Sequence, residues 1–335
     1  MSAMTLADFL AKQNTQTQLA KLLLEVAESC KTIADTVQRG PFLGIMGQAG
    51  NTNVQGEEQK KLDIITNDIL IEHMQETGLL AGMASEEMDH HYAIPADKEK
   101  GNFLLVFDPL DGSSNVDVNI AVGTIVSVLA ASKKDNISDE DFLQKGSAQL
   151  AAVYCTYGAS TILVLTTGQG SHEFVLEKDS NEFMLMVENI QIPADTKEFA
   201  INASNQRHWQ APVKNYIDDC LAGEQGPLNK NYNMRWVASM VAELYRVMCR
   251  GGIFMYPRDH KDPAKVGKLR LLYEANPMSF IIEQAGGVSS TGYERIMDIQ
   301  PNGLHQRVGV IMGSKNEIFT ALSYHENFNP DGSEK

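Results

Sequence analysis

The sequence predicts two layered α/β domains that meet near residues 190–197. Three observations carry this prediction. Short, β-branched apolar runs dominate residues 79–187, strand and helix patterns alternate from about residue 197 onward, and two amphipathic stretches precede both. A chain of 335 residues, 43% of them hydrophobic, can also fill two cores without covalent stapling.

Residues 17–39 bring Leu19, Leu22, Leu23, Val26, Ile33 and Val37 to one helical face, and Gly40 with Pro41 closes the pattern. Gly40, Gly44, Gly47, Gly50 and Gly56 then punctuate a polar stretch that reads as a mobile loop able to cover a site. A second helix is expected over 57–75, with Leu62, Ile65 and Ile69 apolar and with Asp63 and Asn67 sharing another face. Strands are expected at 79–84, 103–107, 120–131, 148–156, 160–167 and 183–187. Beyond them, a strand at 198–202 leads to a helix near 211–222, a helix over 237–250 and a strand at 252–257. A glycine-closed helix over 276–287 and a strand at 308–313 feed a last helix, where Ser314 and Glu317 have the spacing of a capping box. The two domains are taken as residues 1–193 and 194–335.

A net charge of −15 opposes nucleic-acid and anionic-membrane binding in the absence of a concentrated basic patch. The strongest cationic cluster, Lys261 to Arg270, is mixed with Asp262 and reads as a small anion site. No apolar run approaches the roughly 20 residues of a membrane span. The N-terminal stretch lacks a basic region ahead of an apolar core, so no signal peptide is expected and the cytoplasm is the expected compartment. Cys30, Cys155, Cys220 and Cys249 are scattered and are expected to be reduced packing residues. His90 and His91 read as a solvated pair.

Acidic residues gather where the pattern predicts strand ends: Glu86 and Glu87, Asp108 and Asp111, and Glu274. Carboxylates brought together repel and raise one another's pKa unless a cation sits among them, and an all-oxygen set suits Mg²⁺ or Mn²⁺ better than zinc. An EF-hand starting at Asp108 fails because Leu110 and Gly112 would fall at ligand positions. A haloacid-dehalogenase motif fails because both Pro109 and Leu110 separate the acids, where that motif has one residue. Gly112, Ser113 and Ser114 are small enough for backbone N–H groups to approach an anion, which makes them a candidate phosphate cradle beside the metals.

The stretches FDPLDGSSN, MASEEMD, GEEQKKLDIITND, GGIFMYP and GKLRLLYEANPM together resemble class I fructose-1,6-bisphosphatase, within the lithium-sensitive, metal-dependent sugar and inositol phosphatases. The similarity runs from about residue 40 to about residue 320. It implies an αβαβα layered fold and hydrolysis of the 1-phosphate of fructose 1,6-bisphosphate to fructose 6-phosphate, a step of gluconeogenesis. It further implies two or more Mg²⁺ or Mn²⁺ ions and a homotetramer. By the resemblance Glu86, Asp108, the Leu110 carbonyl, Asp111 and Glu274 are metal ligands, and Glu87 and Asp63 activate the attacking water. Glu57 stands where animal members carry an aspartate on the mobile loop. Asp111, Gly112, Ser113 and Ser114 receive the 1-phosphate. Asn202, Arg235, Trp236, Tyr256 and Lys268 surround the sugar and the 6-phosphate, with Arg235 reaching in from a neighbouring subunit and Trp236 in a place usually held by tyrosine. The Lys-Tyr pair that binds AMP in animal relatives is Asn102 and Phe103 here, and Ala130 replaces an arginine, so inhibition by AMP is expected to be weak or absent.

Overall fold

The computed structural model describes residues 4–52, 58–262 and 266–335. The chain opens with helices α1 (Leu6–Lys12) and α2 (Thr17–Leu43), a two-stranded ribbon of β1 (Gln48–Thr52) and β2 (Glu58–Lys60), and helix α3 (Lys61–Met74). Strands β3 (Leu80–Ser85), β4 (Tyr92–Ala93), β5 (Phe103–Asp111), β6 (Val122–Ala130), β7 (Ala151–Tyr157), β8 (Thr161–Thr166), β9 (Ser171–Glu177) and β10 (Glu182–Val187) follow. They form an eight-stranded sheet in the order β10-β9-β8-β7-β6-β5-β3-β4, antiparallel except for the β3–β5 pair.

The second half contributes β11 (Glu198–Ile201), α4 (Ala211–Leu221), β12 (Asn233–Met234), α5 (Met240–Arg250), β13 (Ile253–Tyr256), β14 (Leu269–Arg270), α6 (Asn276–Gln284), β15 (Val288–Ser290), β16 (Arg307–Val308), β17 (Val310–Gly313) and α7 (Lys315–Ser323). Its five-stranded sheet runs β12-β11-β13-β17-β15, and β14 pairs with β16 separately.

Side-chain alternation along the strands divides the core into layers. Leu105, Phe107, Val126, Val128, Val153 and Leu163 pack with α1–α3 on one face of the large sheet. Ile125, Tyr154 and Val164, on its other face, join Val241, Leu244, Met278 and Ile281 of α5 and α6, which also meet Phe254 and Met312 of the small sheet. Ile201, Ile253 and Ile311 then pack on Val213, Ile217 and Ile318 of α4 and α7. Five layers result, αβαβα, as expected. Among the described residues no helix is long and apolar enough to cross a membrane.

Several local expectations need correction. Helix α2 does not stop at Gly40: Pro41 forfeits one backbone donor, yet the last turn continues and closes at Gly44, whose φ of 69° lets its N–H reach the Gly40 carbonyl. The stretch read as a loop from Gly40 to Gly56 holds strand β1, and Glu57 lies outside the described residues. The second helix begins only at Lys61, because residues 58–60 pair with β1. Strand β9 was not expected. Ser314 and Glu317 form no capping box: the Ser314 hydroxyl accepts the Gly252 N–H at 3.0 Å, and Glu317 turns inward to accept the hydroxyls of Tyr216 and Tyr232, each at 2.8 Å. A capping box does form at Thr5 and Asp8, ahead of α1. His90 and His91 are also more than a solvated pair, since both rings bond the carboxylate of Asp139, at 2.8 and 2.7 Å.

Candidate active site

The acid-bearing segments converge where the large sheet meets the second half of the chain. Strand β3 ends at Ser85, and the Glu86 N–H continues onto the Phe107 carbonyl of neighbouring β5 at 3.1 Å. On β5 the register against β6 slips between Asp108, opposite Ile125, and Asp111, opposite Gly123. Pro109 and Leu110 therefore face the single residue Thr124, which is a β-bulge. The Leu110 N–H turns back to Asp108 Oδ1 at 2.9 Å. Glu274 departs from expectation: β14 ends at Arg270, and Glu274 sits in a π-helical turn, Leu271–Ala275, that leads into α6.

Ligand oxygens of Glu86, Asp108 and Glu274 lie within 4.8 Å of one another, and all three residues are buried. Burial pushes the Asp108 carboxyl well above its ordinary range, and the charges of Glu86, Asp111 and Glu274 add to the effect. Asp111 is pushed up to about 6, chiefly by burial, against the opposing backbone N–H of Val241. That N–H, 3.0 Å from Asp111 Oδ2, belongs to the first turn of α5, so a helix N-terminus orients this carboxylate. Asp63 is raised to about 7 by burial, opposed by its bond from the Lys60 N–H and reinforced by the charge of Glu87. Oxygen-only donors whose mutual repulsion is this evident fit a hard divalent cation.

The phosphate-cradle residues adjoin this cluster. Gly112 has φ 76°, and a Cβ there would stand 2.8 Å from Cβ of Ser239, so the close approach of the two segments requires glycine. Gly112 caps a short 3₁₀ helix, Ser113–Val118, and Asn115 Nδ2 fastens it to the Ala238 carbonyl at 2.9 Å. Ala238 itself is left-handed, at φ 63°, a conformation costing a non-glycine residue about 1 kcal/mol.

A cavity of 370 Å³ gathers Asp63, Glu86, Glu87, Asp108, Leu110, Asp111, Gly112, Ser113, Ser114 and Glu274 with Trp236, Tyr256 and Lys268. Lys268 Nζ stands 5.3 Å from the Tyr256 ring centroid, and Trp236 stacks on Phe254 with ring planes 3° apart. Two expected residues do not line the cavity. Asn202 caps the 3₁₀ helix Ala203–His208 and accepts from Ser204, and exposed Arg235 lies 3.9 Å from Glu198.

Residues that sequence reasoning left out also line it. Arg270 falls in the cluster read as a small anion site, yet it is buried and pairs with Glu86 at 2.8 Å and with Glu274 at 3.9 Å. Its i,i+4 spacing to Glu274 was the available signal. Arg307, opposite Arg270 in the β14–β16 pair, donates to the Lys268 carbonyl at 3.0 Å. Ser239 and Met240 bring the start of α5, and nothing in their side chains announces that role.

Residues 2–188 match the family model described as fructose-1-6-bisphosphatase, N-terminal domain, and residues 192–326 match the one described as fructose-1-6-bisphosphatase, C-terminal domain. The holo form of Leishmania major fructose-1,6-bisphosphatase is 33% identical, with 97% of this chain and 100% of that chain covered at a TM-score of 0.90. For the apo form of the same enzyme the identity is 32%, the coverage is equal and the TM-score is 0.84. Matches of this extent to both halves, with a solved relative followed along its whole length, show that the chain belongs to the fructose-1,6-bisphosphatase family and that its reaction is the hydrolysis of a fructose bisphosphate.

Proposed function

We propose that the chain removes the 1-phosphate of D-fructose 1,6-bisphosphate with the help of two or more Mg²⁺ ions, Mn²⁺ being an alternative. The observation that carries this reading is a single cavity lined both by the clustered carboxylates and by Lys268 with Tyr256. A hexose bisphosphate offers such a cavity one phosphate for cations held by the carboxylates and a second for the lysine.

Glu86, Asp108, the Leu110 carbonyl, Asp111 and Glu274 would hold the cations. A divalent cation there supplies charge that acidifies a water and steadies the leaving oxygen. Glu87 and Asp63 take the proton of the attacking water, and the raised pKa of Asp63 suits a group that exchanges protons near neutrality. Ser113, Ser114 and the amides after Gly112 hold the phosphoryl group in line. Lys268, Tyr256 and Trp236 grip the distal phosphate and the sugar, so that remote binding energy positions the reacting end. Asn202, and Arg235 from a neighbouring subunit, complete that grip in a homotetramer. Glu57 assists the attack from the segment before β2. The division of labour follows residues 1–193, with most cation ligands, and 194–335, with the sugar site. The cytoplasm is the proposed compartment.

The test is phosphate release from fructose 1,6-bisphosphate and from inositol 1-phosphate, with Mg²⁺ or Mn²⁺ and with EDTA. Release from the bisphosphate only, lost in EDTA, is expected. Equal rates on inositol 1-phosphate would refute the need for a distal grip, and turnover that survives EDTA would refute the cations.

A further inference from the structure

The β5–β6 bulge is secured from behind by a buried chain of hydroxyls that the reaction scheme leaves unused. Pro109 has no N–H, and it is buried inside the bulge. Thr124 Oγ1 lies 2.9 Å from that carbonyl and 2.7 Å from the Tyr157 hydroxyl. Thr124 is wholly buried and Tyr157 nearly so, at 5% exposure. A carbonyl only accepts, so the single Thr124 proton goes to Pro109, and Tyr157 must donate to Thr124. The Cys30 thiol of α2 adjoins the Tyr157 hydroxyl on the far side. The proton order from Tyr157 to Thr124 is thereby fixed, and it ends on Pro109, the residue directly after Asp108.

We propose that Thr124 is a positioning residue for the cation site, with Tyr157 behind it: the Thr124 hydroxyl holds the Pro109 carbonyl, and so sets the angle at which the bulge presents Asp108, Leu110 and Asp111. The proposal rests on the reading of these residues as cation ligands. The chemistry explains why a threonine stands there. Valine would fill the same space but remove the buried hydroxyl that ties the Pro109 carbonyl to β6, and the bulge would lose that restraint. Bonds one step behind metal ligands are worth on the order of 10–100-fold in affinity or activity.

The experiment compares Thr124→Val, Thr124→Ser and Tyr157→Phe with wild type and with Asp111→Asn. Mn²⁺ binding to the full chain is read from the electron-paramagnetic signal of free Mn²⁺, alongside kcat, KM and Tm. Thr124→Val is expected to weaken Mn²⁺ binding and to lower kcat by about tenfold or more, with little change in KM. Thr124→Ser restores both, because it keeps the hydroxyl. Tyr157→Phe falls between wild type and Thr124→Val, since Thr124 still donates to Pro109. Should Thr124→Val fail to fold, Thr124→Ala carries the same expectation. Wild-type Mn²⁺ affinity in Thr124→Val, equal losses in Thr124→Ser and Thr124→Val, or a larger loss in Tyr157→Phe would each overturn the proposal. If Asp111→Asn loses Mn²⁺ binding while Thr124→Val keeps it, only the positioning role fails. If Asp111→Asn also binds as wild type does, the cation reading fails and the proposal with it.

Discussion

Replacing Arg270 by leucine should destabilise the cation-free protein more than any surface charge would, and divalent cation should restore most of the loss. The Arg270 guanidinium lies 2.8 Å from Glu86, with side-chain exposures of 8% and 9%, and Glu274 stands 3.9 Å away. Breaking a buried pair by removing one partner costs about 3–5 kcal/mol, because the other charge is left uncompensated. Proton uptake by the crowded carboxyls limits the cost, so about 3 kcal/mol applies here. At about 2–4 °C per kcal/mol for a domain of this size, Tm falls by roughly 6–12 °C in EDTA. A cation at about 100 times its dissociation constant returns about 2.7 kcal/mol. The cation-induced rise in Tm should therefore be larger in Arg270→Leu than in wild type, where the guanidinium already neutralises part of the cluster. Arg270→Lys, which keeps the charge, should lie between the two. Thermal melts of the three proteins in EDTA and in Mg²⁺ make the comparison. A Tm for Arg270→Leu within about 2 °C of wild type in EDTA, less than 1 kcal/mol by the same conversion, would refute the reasoning.

Lys268→Ala should lower kcat/KM for the bisphosphate by about 10–100-fold, the worth of one charge-assisted hydrogen bond, mainly through KM; steady-state kinetics with no change in KM would count against the distal grip. The Asp139 carboxyl, which burial alone would raise, is held down at about 2 by the backbone N–H and ring of His91 and by the His90 ring, while the bond to Asp139 raises His90. A depressed acid stabilises above its unfolded pKa and loses that stability as pH falls through the folded value, so the acid arm is lost between about pH 4 and 2. A raised histidine stabilises below its unfolded pKa, so the second arm is lost as pH rises above about 6.5. Asp139→Asn should differ from wild type most between these limits, by about 1 kcal/mol after allowance for solvent screening, and denaturant titrations showing a pH-independent difference would contradict it. AMP is expected to inhibit weakly or not at all, since Phe103 is 5% exposed and lacks a hydroxyl and Ala130 carries no charge. Initial rates measured against AMP would overturn this if strong inhibition appeared and vanished on mutation of residues 14–20.

The parts of the site written contiguously in the chain were legible before the fold was known. Asp108 through Ser114 carry their own chemistry within one strand and the turn after it, and the order of apolar runs announced the large sheet. The unread parts depend on distant chain. Arg270 reads as part of a small anion site until β14 pairs with β16 and turns it toward Glu86. The α5 start contributes backbone N–H groups to Asp111, and a backbone group has no signature of its own. Glu317 has the spacing of a cap, but buried Tyr216 and half-buried Tyr232 offer hydroxyl donors that a helix end in water cannot match. Local pattern thus identified the acids, and tertiary pairing decided what each one faces.

The grip of α5 on Asp111 joins the two halves of the chain at one carboxylate. A nascent chain that has emerged only as far as β10 already carries Asp63, Glu86, Glu87, Asp108 and Asp111, but not Glu274, Arg270 or the amides that aim Asp111. Domains tend to fold in the order in which they are synthesised. The large sheet can thus be complete on the ribosome while the cavity is still half-built, lacking Glu274, Arg270 and the start of α5 until the second half of the chain folds.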